Sequence, residues 1–280
     1  TGGYMALEFV GDAIRECVRS ESRIYRIEGD EFFIRTDGDI NDAKDMYYAI
    51  RSRLDQMIAE HDYEIVFTIS GGAFISNAKI RFEELKVKLD FALNRAKKNG
   101  RNCVVGYKEE DYLENVQVLN IQELLRDSIN NNFEGYEVYY QPLIDSKTKK
   151  LIGAEALLRW ECDRYGKLSP AQFIPILEDS GLIVPVGKWV AYTAIKQCKE
   201  WQKIIPEFKI NINLSYIQIR KSNVALDIIN VIQKVGIDPK YVTFEFTESG
   251  YLENDTSVKK LFDSCCNYDG VWGGVATGIL

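Results

Sequence analysis

Apolar side chains at Val10, Ala13, Ile14, Cys17 and Val18 recur three and four residues apart, so the chain opens on an amphipathic helix over residues 5–18. Two β-rich runs, 23–27 and 31–35, flank Glu28-Gly29-Asp30, the pattern of a hairpin closed by a tight turn. Met46, Tyr47, Ile50, Leu54, Met57 and Ile58 predict a second amphipathic helix, and 64–70 reads as a strand ending at Gly71-Gly72. A third helix is predicted over 82–98, stopping at Asn99-Gly100, with a short strand over 101–107. This alternation predicts one α/β unit, followed by a charged linker at 108–115 that is poor in aliphatic residues.

The pattern then restarts with a helix over 116–131 and strands over 137–144 and 151–160, joined by a polar turn. Ser169-Pro170-Ala171-Gln172 predicts a helix start, with Ser as N-cap, Pro at the first helical position and Gln closing a capping box. A long helix over 186–203 precedes strand 208–215, helix 224–235, strand 241–247 and helix 257–266. Repeated βα units of this kind predict a parallel sheet or barrel.

Composition narrows the chemistry. With 46% hydrophobic and 28% charged residues in 280, the chain has the make-up of a globular protein of about two domains. The net charge of −7 argues against bulk nucleic-acid binding, which needs a basic face. A small anionic ligand stays compatible, given a few local cations. No run approaches the roughly 20 apolar residues of a membrane span, and the expectation is a cytoplasmic protein. The six cysteines show no zinc spacing and are read as reduced packing residues. The single histidine, His61, reads as a solvated loop residue, so Ser-His-Asp catalysis is set aside in favour of carboxylates and metal.

Residues two apart share a face of a strand. Glu155, Leu157 and Arg159 therefore fall together, as do Asn211, Asn213 and Ser215, and Thr243, Glu245 and Thr247. Three strands each place a hard oxygen donor near their carboxyl ends, where (β/α) barrels build active sites. Such donors suit Mg²⁺ or Mn²⁺, and Arg159 could fork onto a phosphate. Each residue taken singly is as well read as an ordinary rim residue, and spacing alone leaves the two readings balanced.

The run 141–249, with YYQPLID, GAEALLRW, SPAQFIPILEDSGLI, KQCKEW, NINLS and FEFTES in order, closely resembles the EAL domain, a family of cyclic-di-GMP phosphodiesterases. The resemblance implies a partial (β/α) TIM-like barrel of EAL type over 117–280. It implies Glu155, Asn213 and Glu245 as metal ligands, and Gln141, Leu157 and Arg159 as substrate-binding residues. Glu155 and Glu248 would be catalytic, Glu248 by holding the loop after its strand. Two divalent ions, Mg²⁺ or Mn²⁺, would serve hydrolysis of cyclic di-GMP to the linear dinucleotide. The family's DDFG motif has no counterpart: NYDGVWGGVATGIL holds only Asp269 as an acid. The EAL part is therefore expected to be truncated before that motif, and the chain as given to be inactive.

Glu28-Gly29-Asp30-Glu31-Phe32, with EIVFTISGGAFI and LDFALNRAKKNGRN, resembles the GGDEF domain of diguanylate cyclases, with Glu28 in place of the first Gly. The resemblance implies a degenerate, nucleotide-cyclase-like α/β sandwich over 1–108 that lacks its first strand, with a linker at 109–116. Asp30 and Glu31 would face metal, and Lys97 and Arg101 nucleotide phosphates, with GTP as the ligand. The added side chain and charge of Glu28 argue against cyclase activity. The family's R-x-x-D product site reads Arg19-Ser20-Glu21-Ser22 here, without its acid. Two functions follow: a cyclic-di-GMP phosphodiesterase in its complete form, which would be a homodimer, or an inactive regulator or scaffold that binds cyclic di-GMP or GTP.

Overall fold

A computed structural model describes residues 2–61, 67–76, 79–245 and 275–276. The chain divides into two units, Thr1–Asn115 and Val116–Leu280.

In the first unit, α1 (Gly2–Cys17) packs on α2 (Ile40–Glu60), burying Ala13 and Ile14 against Ile50, Leu54 and Met57. The hairpin β1 (Arg23–Arg26) and β2 (Phe32–Arg35) adds Ile24, Phe32 and Ile34 to this core. Helix α2 begins where it does because Asp39 accepts from the backbone N–H groups of Asn41 (2.7 Å) and Asp42 (3.0 Å). The Asp42 carboxylate accepts from Asp39 N (2.8 Å) in return, a capping box built from two aspartates. His61 is not merely a solvated loop residue. It is the C-cap of α2, with its Nδ1 2.9 Å from Met57 O and its ring 5.0 Å from Phe9.

A second pair of strands, β3 (Gly71–Ala73) and β4 (Val104–Gly106), is parallel and lies on α3 (Phe82–Lys98). A Cβ on Gly72 would stand 2.5 Å from Leu93 N, so only glycine lets β3 approach the helix backbone this closely. Among the described residues the unit thus carries two two-stranded sheets. Of the strand expected over 64–70, residues 67–70 have no regular structure and 64–66 lie outside the described residues. The strand expected over 101–107 is shorter because Arg101 and Asn102 are left-handed (φ 62° and 49°) and Arg101 N closes the end of α3 on Ala96 O.

The expected linker is a helix. α4 runs unbroken from Glu109 to Asn130. Glu109, Glu110 and Asp111 fill its first turn, where acids favour the helix dipole. Glu109 pairs with Lys88 (3.1 Å) and Asp111 with Arg95, so two of the acids in the segment read as a charged linker are neutralised in place.

In the second unit the sheet order is β10-β9-β8-β6-β5. The strands are β5 (Tyr136–Ile144), β6 (Leu151–Cys162), β8 (Lys209–Asn213), β9 (Val242–Glu245) and β10 (Val275–Ala276). β6, β8, β9 and β10 are parallel, while β5 pairs antiparallel to β6 and carries Pro142 opposite Ala154. The short β7 (Gly166–Leu168) also returns antiparallel on β6. This is one wall of the (β/α) architecture the sequence predicts.

Helices α5 (Pro170–Ser180), α6 (Ile183–Trp201) and α8 (Val224–Val235) build a core with one face of the sheet. Ala154, Ala156, Ile210, Ile212, Val242 and Phe244 are buried in it with Val186, Ala194, Ile195 and Cys198 of α6. The box expected at α5 forms: Gln172 Oε1 accepts from Ser169 N at 3.0 Å and Oγ at 2.9 Å. Residues 214–215 do not prolong β8, because Ser215 caps α7 (Tyr216–Lys221), accepting from Ile217 N at 3.2 Å. Gln218 of that helix is buried at 5% exposure and packs on Gly187. The helix expected over 257–266 lies outside the described residues. No described helix is long and apolar enough to cross a membrane.

Candidate functional site

The period of two along the parallel strands decides which side chains meet. With the even-numbered apolar residues turned into the helix layer, Glu155, Asn211, Asn213, Thr243 and Glu245 take the other face. The register sets Glu155 beside Asn211, and Asn213 beside Glu245. Asn213 Nδ2 donates to Glu155 Oε1 at 2.7 Å, and Asn211 Nδ2 donates to Glu245 Oε1 at 2.6 Å. A carboxylate only accepts, so each amide must present its nitrogen to the acid and turn its oxygen elsewhere. The three expected ligands Glu155, Asn213 and Glu245 are therefore neighbours, linked through Asn211.

Gln141 lies opposite Glu155 on β5 and is exposed, and Leu157 is half-buried opposite Tyr139. The Arg159 guanidinium stands 5.5 Å from the Tyr139 ring centre, and its Nη1 donates to Leu158 O at 2.8 Å. Its remaining donors have no hydrogen-bond partner among the described residues. Glu248 and Asp269 lie outside the described residues. On the core side, burial pushes the Tyr140 hydroxyl and the Cys198 thiol each up to about 12, so both stay neutral beside the site.

Among the described residues no three His, Cys, Asp or Glu side chains converge as a metal cluster. Two carboxylates and an amide oxygen remain, a hard-oxygen set that fits one divalent cation of the Mg²⁺ or Mn²⁺ kind and is too small for two. The strand beside β9 adds no acid, since β10 is Val275–Ala276 and the chain continues Thr277-Gly278.

Near Ser215 a further contact escaped sequence reasoning: its Oγ donates to Glu178 Oε1 of α5 at 2.6 Å, fixing the turn after β8. Asn211 was visible on the right face, two residues before Asn213, but nothing in the spacing gave it a partner.

In the first unit the Glu28-Gly29-Asp30 turn is exposed, with Gly29 at φ +51°. Arg26 donates to Gly29 O from Nε (3.1 Å) and Nη2 (2.7 Å), clamping the turn. Glu31 N closes it on Glu28 O at 2.8 Å, and Phe32 leaves it for the core. Lys97, in the last turn of α3, and Arg101, just after it, are exposed, and no hydrogen bond or ion pair joins them to residues 28–31 among the described residues. Arg19, of the degenerate product motif, is already engaged by Asp42 (2.8 Å) and Asp37 O (3.1 Å).

Comparison with known proteins agrees with this division. The model of the EAL domain matches residues 122–268, and that of the diguanylate cyclase GGDEF domain matches residues 3–103. MucR of Pseudomonas aeruginosa, a bifunctional diguanylate cyclase/cyclic di-GMP phosphodiesterase, is 29% identical over 88% of this chain and 36% of its own length. The oxygen sensor protein DosP of Escherichia coli is 30% identical over 91% of this chain and 32% of its own. The chain thus spans about a third of the length of these curated relatives. The solved PaMucR phosphodiesterase in complex with c-di-GMP superimposes with a TM-score of 0.50 at 26% identity, over 56% of this chain and 62% of that one. With its EAL match covering half of its residues behind a matched GGDEF segment, the chain belongs to the EAL domain family and carries a GGDEF domain ahead of the EAL part.

Proposed function

We propose that the second unit contributes to an EAL-type cyclic-di-GMP site, that the complete protein hydrolyses cyclic di-GMP to linear pGpG, and that residues 1–280 bind the nucleotide without turning it over. The observation that carries this reading is the pair of amide–carboxylate contacts that gathers Glu155, Asn213 and Glu245 on one face. The relatives support the ligand: one is described as a cyclic di-GMP phosphodiesterase and a solved neighbour was obtained with c-di-GMP.

Glu155, Asn213 and Glu245 would hold a divalent cation, which neutralises phosphate charge and activates water when bound. Arg159, braced by the Tyr139 ring, would offer a phosphate the guanidinium donors that have no partner among the described residues. Leu157 gives a base an apolar surface, and Gln141 an amide at the rim. The absence of an acid on β10 and in the residues just after it leaves hydrolysis short of ligands in this chain.

Calorimetry with cyclic di-GMP and Ca²⁺, beside chromatographic detection of pGpG with Mg²⁺ or Mn²⁺, tests both halves. Binding that Arg159→Ala weakens, without product, is the expected outcome. Robust turnover overturns the inactive reading of this chain, and absence of binding overturns the site.

In the first unit, the exposed Lys97 and Arg101 support GTP binding without synthesis, since Glu28 adds negative charge at the turn a triphosphate would approach. Lys97→Ala should weaken GTP binding in calorimetry, and unchanged affinity would mark the unit as a structural neighbour.

A further inference from the structure

The geometry points to Asn211 as a positioning residue for Glu245, a role that rests on reading this face as a cation-assisted nucleotide site. Asn211 lies on the polar face of β8, half-buried between β6 and β9. Its register neighbours are Glu155 on one side and Thr243 on the other, so the straight cross-strand contact would be with one of these. Its amide instead reaches diagonally along β9 to Glu245 Oε1 at 2.6 Å.

The consequence follows from the chemistry of the two groups. Glu245 is the last described residue of its strand and half-buried, and its backbone O accepts from Leu214 N at 2.7 Å. Its backbone is thus held by β8, but a glutamate side chain keeps several free rotations beyond Cβ. The Asn211 amide fixes one carboxylate oxygen and leaves the other without a partner among the described residues. Asn213 and Glu155 repeat the arrangement one step across the sheet. Alternate residues of one strand, Asn211 and Asn213, therefore orient the acids of the two strands beside it. A carboxylate held in this way loses less rotamer freedom when a cation arrives. Outer partners of this kind typically contribute about 10–100-fold to metal affinity.

The test uses residues 1–280 and Mn²⁺ alone, with free ion followed by electron paramagnetic resonance. The unaltered chain, Glu245→Gln, Asn211→Leu and Thr243→Val are compared, each with a melting curve. Leucine matches asparagine in shape and removes the donor, while Thr243 stands beside Asn211 and controls for disturbance of the face. The expected result is Mn²⁺ binding by the unaltered chain, its loss in Glu245→Gln, and an affinity about 10–100-fold lower in Asn211→Leu with melting unchanged. Wild-type affinity in Asn211→Leu, with Glu245→Gln impaired, overturns the role of Asn211 and leaves the site. An equal fall in Thr243→Val, or a fall that tracks lost folding, also overturns it. No binding by the unaltered chain, or none lost in Glu245→Gln, overturns the cation site and the positioning role together.

Discussion

Asn213 stands beside Glu245 in the sheet register, yet its amide donates the other way, to Glu155 at 2.7 Å. The side-chain pairing thus runs diagonal to the backbone pairing. Glu155 is the acid that this contact orients, and Glu155→Ala removes a proposed ligand together with Asn213's partner. In the complete protein it should abolish hydrolysis. In residues 1–280 it should weaken Mn²⁺ binding at least as much as an outer partner does, about 10–100-fold. Wild-type rates or affinity in the mutant would remove Glu155 from the site.

Gly187 has no room for a side chain: a Cβ there would lie 1.9 Å from Gln218 Nε2. Gln218 is buried and its Oε1 accepts from Ser215 N at 2.9 Å, so it cannot swing aside without breaking the cap of α7. Gly187→Ala should destabilise the second unit by about 1–3 kcal/mol, read from urea denaturation. A neutral result would mean that α6 and α7 part more easily than their packing implies.

Tyr136 is buried among Phe133, Trp160 and Trp189, and its hydroxyl has no hydrogen-bond partner among the described residues. Burial drives its pKa well above the ordinary tyrosine value. An orphaned buried donor costs about 1–3 kcal/mol, so Tyr136→Phe should raise the denaturation midpoint of the second unit. A fall would show that the hydroxyl does bond.

Asp42 links acid sensitivity to the start of α2. The Asp39 backbone N–H holds its carboxyl below the ordinary 3.8; burial opposes this, and the Arg19 guanidinium lowers it further. A depressed carboxyl contributes stability above its unfolded value and loses it as pH falls through the folded one. The stability gap between the unaltered chain and Asp42→Asn should therefore be full at about pH 5 and close below the ordinary aspartate range. A gap that does not change with pH would mean the charge plays no part.

Legibility varied with the locality of the signal. α3 and α8 match the sequence reading to the residue, because Asn99, Asn223 and Gly236 mark their ends within a few positions. α7 and the early start of α4 were missed for a common reason: each depends on partners far along the chain. Ser215 looks like the end of a strand until Glu178 and Gln218 are seen to hold it, and 108–115 looks like a linker until Lys88 and Arg95 neutralise it. In the candidate site, period two put the acids and amides on one face, but which amide serves which acid follows from inter-strand register, which no single strand encodes. Thus Asn211 could be placed but not given a role.

Pro142 gives the outer strand a property of its own. β5 is the last strand of the sheet on its side among the described residues, and its far edge meets no described strand. Proline has no N–H, and within a paired strand that gap must face away from the partner. A foreign segment reaching this edge would find its run of donors interrupted toward the strand's carboxyl end, with Pro142 six residues after Tyr136 and two before Ile144. The edge is thereby made a poorer template for extension by a second copy of the sheet, an effect that rests on a single residue of the Tyr-Gln-Pro-Leu-Ile run.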